Sequence, residues 1–352
     1  MRIIHTGDIH LESPLDSALP TEKAVVRRNE LLKTFEKLVT FAIDNFVEVI
    51  IIAGDFFDCE NVSRKTCQFV FDKIKSAENI DFLYLKGNHD ENISFKIDIP
   101  ENLKILDKNF EKYNYDNVSI GLINPLVNNY DDVIFDENSY NIAVMHGSVS
   151  SEYGNYLVNL PALKNKNIDY LALGHIHKGG CGKIDDRGFY NYCGILDGRG
   201  FGEYGEKGFY LIDTQKQNTE FIKMSSRVCY EVDVDISDAL SNAQIKDRIE
   251  EATKNIDQKS IVRVNLTGKY NEKLIKDISF LEQCFNERFF YISIKDNSTL
   301  NIDYNSYKND ISLKGEFIRL CMQSDLAENI RNKVITAGIN ALENEEINLW
   351  NL

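Results

Sequence analysis

The spacing of apolar residues predicts the elements of the chain. In the first half, short β-rich runs alternate with helical patterns. Arg2–Gly7 reads as a strand. Val25–Phe46 carries Leu32, Phe35, Val39, Ala42, Ile43 and Phe46 at helical spacing. Val47–Gly54 is a buried strand, Ser63–Ala77 a helix and Ile80–Lys86 a further strand, with Tyr140–His146 and Asp169–Gly174 as two more. After Gly179 the strands come close together, at Gly188–Gly194, Lys207–Thr214 and Thr219–Met224, with glycine-rich turns between them. An α/β half that gains an antiparallel run predicts a two-sheet sandwich flanked by helices over residues 1–225.

A second unit begins near Ser226. Cys229–Ile236, Ile261–Leu266 and Phe289–Ile294 read as strands, and Ser237–Ile256 and Glu272–Glu287 as helices. That βαβαβ order predicts a small α/β domain over 226–300, followed by a helical segment over 301–352 that is helical from Ser312 to about Ala341. The stripe Leu313, Phe317, Leu320, Cys321 is expected in the core. Trp350 either docks on a partner or covers the protein's own core. Lys246, Arg248, Lys254, Lys259, Arg263 and Lys269 are interleaved with Asp247, Glu250, Glu251 and Asp257, the pattern of a solvated face rather than a basic patch.

With 352 residues, 43% hydrophobic and 27% charged, the chain is that of a globular protein of about two domains. No apolar run approaches the ~18 residues of a membrane span. Met1-Arg2-Ile3-Ile4-His5 has no hydrophobic stretch of the secretory kind, and the seven cysteines include no C-x-x-C pair. The expected location is a reducing cytoplasm, with the cysteines as small buried hydrophobes. A net charge of −15 argues against nucleic acid as a partner, unless a local basic groove or bound divalent cations reverse the sign where it matters.

The candidate chemistry lies at the strand ends. Five of the six histidines fall in short glycine- or aspartate-containing motifs there: Gly7-Asp8-Ile9-His10, Gly87-Asn88-His89-Asp90, His146-Gly147 and Gly174-His175-Ile176-His177, joined by Gly54-Asp55. In open α/β sheets ligands bind beyond the carboxyl ends of the strands, so residues far apart in sequence converge. Asp8, His10, Asp55, Asn88, His146, His175 and His177 are seven oxygen and imidazole donors without a thiolate, too many for one ordinary transition-metal ion. Two ions about 3.5–4 Å apart sharing a carboxylate use them all. This donor set suits Mn²⁺, Fe²⁺, Co²⁺ or Zn²⁺ better than Ca²⁺ or Mg²⁺. The chemistry such a pair supports is phosphoester hydrolysis. His5 shares strand parity with Gly7 and is expected in the core or behind the ligands.

These five motifs, in this order, resemble the calcineurin-like metallophosphoesterases over about residues 1–225. The resemblance implies Asp8, His10, Asp55 and His177 on one metal and Asp55, Asn88, His146 and His175 on the other, with Asp55 bridging. It makes His89 the group that faces substrate, protonating the leaving oxygen or stabilising charge, and Asp58 the group that orients His89. His5–Leu11, Gly194–Phe201 and Lys207–Tyr210 are similar to the SbcD nuclease family, nearest its YhaO-type branch of DNA repair exonucleases. That likeness implies two Mn²⁺ ions, DNA as substrate, a homodimer, an SbcC-like ABC ATPase as partner, and a capping domain with C-terminal helices after the core. Arg199 either contacts the phosphate backbone or closes a turn between strands. Two other readings stand beside the nuclease: a phosphatase or phosphodiesterase for nucleotides or other small phosphoesters, and a scaffold with an idle site, which the presence of His89 speaks against.

Overall fold

The computed structural model describes residues 1–342 apart from 17–18, 107, 125, 128–129, 151–155, 272–273 and 302–305; Trp350 and the rest of 343–352 lie outside the described residues. The chain falls into two compact units, Met1–Tyr230 with Lys259–Ile261, and Glu231–Gln258 with Val262–Leu352. Among the described residues no helix is long and apolar enough to cross a membrane.

The first unit contains, in order, β1 (Arg2–Thr6), α1 (Thr21–Asp44), β2 (Val49–Ala53), α2 (Arg64–Ser76), β3 (Asp81–Leu85), β4 (Leu103–Ile105), β5 (Phe110–Tyr115), β6 (Val118–Ile123), β7 (Tyr140–His146), α3 (Leu160–Leu163), β8 (Tyr170–Gly174), β9 (Gly180–Lys183), β10 (Phe189–Tyr192), β11 (Gly208–Asp213) and β12 (Asn218–Lys223). They build two six-stranded sheets, ordered β12-β11-β1-β2-β3-β4 and β5-β6-β7-β8-β10-β9. The strands β1 to β4 are mutually parallel, as are β6, β7, β8 and β10, while β11 lies antiparallel to β1. Ile3, Val49, Ile51 and Leu83 of the first sheet meet Ile120, Leu122, Ile142, Val144 and Ala172 of the second in one buried core. On the outer face of the first sheet, α1 sets Phe35 against Phe56 and Phe41 against Phe209, with ring centroids 5.2 Å apart in each pair.

This is the α/β two-sheet sandwich that the apolar pattern predicts. The pattern passes over α3, β4, β5, β6 and β9. The β5–β6 hairpin opens the second sheet. In β5, FEKYNY sets aromatic residues against charged or amide neighbours on a half-buried edge, and β6 is wholly buried although Ser119 and Gly121 interrupt its apolar run. Neither segment has the clean alternation or the unbroken run by which a strand is read from sequence. His5 lies between the sheets, fully buried, with Nδ1 2.8 Å from the Tyr170 hydroxyl. Burial pushes its pKa down to about 3, so it is a neutral core imidazole.

A buried polar network ties α1 to the chain beyond β10. Arg27, fully buried, donates from Nη2 to Asp197, from Nε to the Gly198 carbonyl (3.0 Å) and from Nη1 to Ser226 Oγ (2.7 Å). Asp197 also accepts from Thr34 Oγ1 (2.7 Å) and from the Ser226 backbone N–H (3.1 Å). Removing one partner of such a pair leaves a buried charge without compensation. Arg27→Ala is therefore expected to cost about 3–5 kcal/mol, read by urea unfolding. Its neighbour Arg28 is partly exposed and 3.6 Å from Asp16, and Arg28→Ala is expected to change stability by less than about 1 kcal/mol.

In the second unit, β13 (Cys229–Asp235), β14 (Ile261–Thr267) and β16 (Tyr291–Asp296) form a three-stranded sheet, with α4 (Asn242–Ala252) and α5 (Ile278–Phe285) supplying Ile245, Ile249, Leu281 and Phe285 to its core. A short parallel pair, β15 (Lys269–Asn271) and β17 (Thr299–Asn301), stands beside it. Both helices are shorter than their apolar spacing predicts. Ser241 and Asp277 are the caps, accepting from the backbone N–H of Gln244 and Phe280, and so they set the starting points. Lys246 pairs with Glu250, Lys254 with Glu251, and Arg248 donates to the carbonyls of Asp235 and Ser237.

The C-terminal helices are α6 (Leu313–Met322) and α7 (Glu328–Leu342). The expectation that Leu313 and Leu320 are core residues is corrected: they are 72% and 59% exposed. The buried residues are Gly315, Ile318 and Cys321, of which Ile318 and Cys321 pack with Ile335 and Ile339. Small residues decide this register. A Cβ on Gly338 of α7 would stand 2.2 Å from the Phe317 ring, so α7 approaches at Phe317 and Ile318 rather than at the leucines.

Candidate metal centre

Each motif residue stands just past the carboxyl end of a parallel strand: Asp8 and His10 after β1, Asp55 and Asp58 after β2, Asn88 and His89 after β3, His146 at the end of β7, and His175 and His177 after β8. The loops after β1 and β2 run side by side, joined by Asp8 N–H to Gly54 O, His10 N–H to Asp55 O and Leu11 N–H to Phe56 O, each 3.0 Å. These bonds hold Asp8 (φ 47°), His10 (φ 48°) and Asp55 (φ 46°) in the left-handed region, and His175 has φ 91°. Such backbone costs on the order of 1 kcal/mol or more per residue, and clusters of it mark functional sites. Glycine is required at two close approaches: a Cβ on Gly54 would stand 2.0 Å from His146 Nδ1, and one on Gly87 2.2 Å from Asp55 Oδ1.

The structure brings all seven candidate donors together. The His10 and His177 Nε2 atoms are 3.1 Å apart, and Asp55 Oδ2 is 3.7 Å from His10 Nε2 and 3.5 Å from His146 Nε2. Asn88 Oδ1 lies 3.0 Å from His146 Nε2 and 3.1 Å from His175 Nδ1. Both Asp8 carboxylate oxygens accept from the His175 backbone N–H, at 3.0 and 2.8 Å, and Asp55 Oδ1 accepts from the His89 N–H at 2.9 Å.

The outer contacts of the rings decide what these short distances mean. His10 donates from Nδ1 to Asp58 (2.7 Å), His177 from Nδ1 to Glu203 (3.0 Å), and His146 from Nδ1 to the Ala53 carbonyl (2.9 Å). Acceptors of this kind favour the tautomer with its proton on Nδ1, in which Nε2 presents a lone pair inward. Lone pair then faces lone pair between His10 and His177, and again between His146 and Asn88 Oδ1. Two fully enclosed carboxylates, Asp8 and Asp55, add like charge; burial and the nearby Asp55 push the Asp8 pKa well above its ordinary value. Burial also pushes His146 down to about 4, against the pull of Asp55. Converging lone pairs and crowded carboxylates, with Nδ1 of three rings turned to outer acceptors, fit divalent cations held at this point. Asp8 with His10 and His177, and Asp8 with Asp55 and His146, are compact enough for each set to share an ion.

His89 stands at the edge of this cluster, 44% exposed, with Nδ1 3.1 Å from Asp58 Oδ1. That hydrogen bond raises the His89 pKa despite partial burial. Burial pushes Asp58 up, but the bonds from His10 and His89 prevail and keep it ionised, far below the usual carboxylate range. Arg199, expected to touch phosphate or close a turn, is folded inward. Its Nε and Nη2 reach Glu203 Oε1 at 3.0 and 2.9 Å, and its Nη1 reaches Asp58 Oδ1 at 3.3 Å.

Three neighbours were not foreseen. Glu203 is the one acid in the glycine-rich stretch 198–205, and that isolation was its only signal. Asp90 closes the Gly87–Asp90 motif and locks two loops together: Oδ1 accepts from Gly87 N–H (2.7 Å), and Oδ2 from Phe57 N–H (3.1 Å) and the Tyr84 hydroxyl. Burial pushes its pKa up to about 6, opposed by the Tyr84 bond. Tyr156 sets its ring 6.1 Å from His175 and 6.3 Å from His146 and donates to Glu91 (2.9 Å). An aromatic residue in a loop has no motif to mark it.

Residues 1–179 match the calcineurin-like phosphoesterase family. The chain is 27% identical over 340 residues to a DNA double-strand break repair protein, Mre11, of Saccharolobus solfataricus, spanning 87% of this chain and 85% of the relative. It is 25% identical over 305 residues to an uncharacterized metallophosphoesterase, YhaO, of Bacillus subtilis, spanning 78% and 74%. Among solved structures, a dimetal phosphatase from Danio rerio aligns with 12% identity and a TM-score of 0.42, over 60% of this chain and 91% of that one.

Proposed function

Since the chain belongs to the calcineurin-like phosphoesterase family, with its matched segment ending two residues past His177, we propose that it is a two-metal DNA nuclease of the SbcD type. It cleaves phosphodiesters as an exonuclease, with endonuclease action as a second mode, and binds two Mn²⁺ ions. Asp8, His10, Asp55 and His177 hold one ion and Asp55, Asn88, His146 and His175 the other. The observation that carries the reading is the inward convergence of imidazole nitrogens, an amide oxygen and carboxylates beside a part-exposed His89. Two ions so held would polarise a phosphoryl group and make water available as a nucleophile near neutral pH. The chain's own part is then clear. Asp58 accepts a hydrogen bond from His89 Nδ1 and favours the charged ring, whose Nε2 would carry the proton that the leaving oxygen needs. The backbone N–H of His89 steadies Asp55 at the same time.

DNA is favoured over a small phosphoester because the likeness to the Saccharolobus repair protein runs through both units, not the phosphoesterase core alone. An SbcC-like ABC ATPase, a homodimer and the role of 226–300 as a capping domain belong to the same reading. Seven free cysteines fit a reducing cytoplasm. The second reading, a phosphatase or phosphodiesterase for nucleotides or other small phosphoesters, is favoured by the net charge of −15. Labelled single- and double-stranded DNA, p-nitrophenyl phosphate and bis-p-nitrophenyl phosphate are to be compared with Mn²⁺ and with chelator. Mn²⁺-dependent cleavage of DNA and of the diester, abolished by chelator, is the expected result. Preference for the monoester with DNA left intact would overturn the nuclease.

A further inference from the structure

Three of the histidines at the centre, His177, His10 and His89, turn their Nδ1 atoms toward carboxylates that are joined to each other through Arg199. Glu203 Oε1 lies 3.0 Å from His177 Nδ1 and accepts from Arg199 Nε and Nη2. Its Oε2 accepts from the Arg199 backbone N–H at 2.6 Å. The guanidinium then reaches Asp58 Oδ1 (3.3 Å), which also takes His10 Nδ1 (2.7 Å) and His89 Nδ1 (3.1 Å). We infer that Glu203 and Arg199 are positioning residues: Glu203–Arg199–Asp58 form an acid–base–acid chain that sets the tautomer and orientation of three rings at once.

The direction of the hydrogen bonds supports this. A ring whose Nδ1 donates to a carboxylate can offer only Nε2 as a ligand, and such outer partners raise the basicity of that nitrogen. Without Glu203, the carboxylate that orients the His177 ring is lost. Arg199 is engaged on both sides and only 19% exposed, which suits a strut better than a phosphate hook. The segment that carries it is fixed as well. Asp197, two residues before Arg199, is held by Arg27 and Thr34 of α1 and by Ser226. Glu203 thus approaches the centre on an anchored turn, not a free loop.

The inference rests on the two-metal reading, and the experiment separates the two. The metal-free full-length protein is titrated with Mn²⁺ by calorimetry and by electron paramagnetic resonance, for the wild type, Glu203→Ala, Glu203→Gln and Arg199→Gln. The wild type is expected to bind two ions with a spin-coupled signal. Glu203→Ala is expected to keep one ion and bind the other about 10–100-fold more weakly, so that the coupled signal gives way to a mononuclear one. Glu203→Gln, which keeps the size of the side chain and an amide oxygen that still accepts from Nδ1, is expected to recover part of that loss. Arg199→Gln is expected to weaken the same ion with little change in KM for the diester. If Glu203→Ala titrates like the wild type, the inference fails while the two-metal centre stands. If Arg199→Gln raises KM and leaves metal binding untouched, Arg199 is a substrate contact and the chain is broken there. A wild type that binds fewer than two ions overturns the two-metal reading itself.

Discussion

An Asp55→Asn variant is expected to lose metal-dependent hydrolysis by ~10³-fold or more and to bind one Mn²⁺ ion in place of two. In the proposed centre Asp55 is the bridging carboxylate. Its Oδ2 stands 3.7 Å from His10 Nε2 and 3.5 Å from His146 Nε2. Each ion supplies several kcal/mol of charge stabilisation, and about 1.4 kcal/mol is one decade in rate. The amide keeps the size of the side chain and its acceptor for the His89 N–H. The variant should therefore fold, with a circular dichroism spectrum like that of the wild type. Metal analysis after gel filtration checks the stoichiometry; two retained ions would remove Asp55 from the bridging position.

The second large effect concerns His89. His89→Ala is expected to lower kcat on DNA by about 10²–10⁴-fold with both ions retained, because general acid catalysis contributes on that order. The backbone N–H that steadies Asp55 survives the substitution. The leaving group distinguishes two roles for the ring. A deoxyribose oxygen needs a proton as it departs, whereas p-nitrophenolate does not. If His89 is the acid, bis-p-nitrophenyl phosphate should lose far less rate than DNA. Equal losses on both substrates would instead mark His89 as a charge stabiliser, and lost metal would mark it as a ligand.

The legibility of the chain differs from place to place for physical reasons. The parallel strands β2, β7 and β8 are nearly continuous apolar runs because both faces are covered, and their ends could be read to within a residue or two. The motif residues were visible because a sharp turn after such a strand requires glycine and the donors are of rare types. The hairpin β5–β6 was not, since Tyr113 and Tyr115 of the edge strand alternate with polar Asn114 and Lys112 as a loop also does. The α6 stripe misled because helical spacing shows a face but not its partner: Leu313 and Leu320 lie on one line, and Gly338 directs α7 to another. Glu203 was hidden for a related reason. Its role comes from contacts with Arg199 four residues away and His177 twenty-six residues away, and no local periodicity encodes those.

The place of β1 in its sheet sets an order of events during synthesis. β1 carries Asp8 and His10 toward the centre, and it is flanked by β2 on one side and on the other by β11, whose Asp213 pairs with Arg2. Until the ribosome has released β11, the Ile3–Ile4 segment has one bare hydrogen-bonding edge, and Glu203 has only just emerged. At roughly 5–20 residues per second this interval lasts tens of seconds, during which an apolar strand edge can recruit other chains. The second edge of β1 is thus covered late, with the return of β11. A nascent chain stalled before Gly208 should be a target for chaperones rather than a partly active hydrolase.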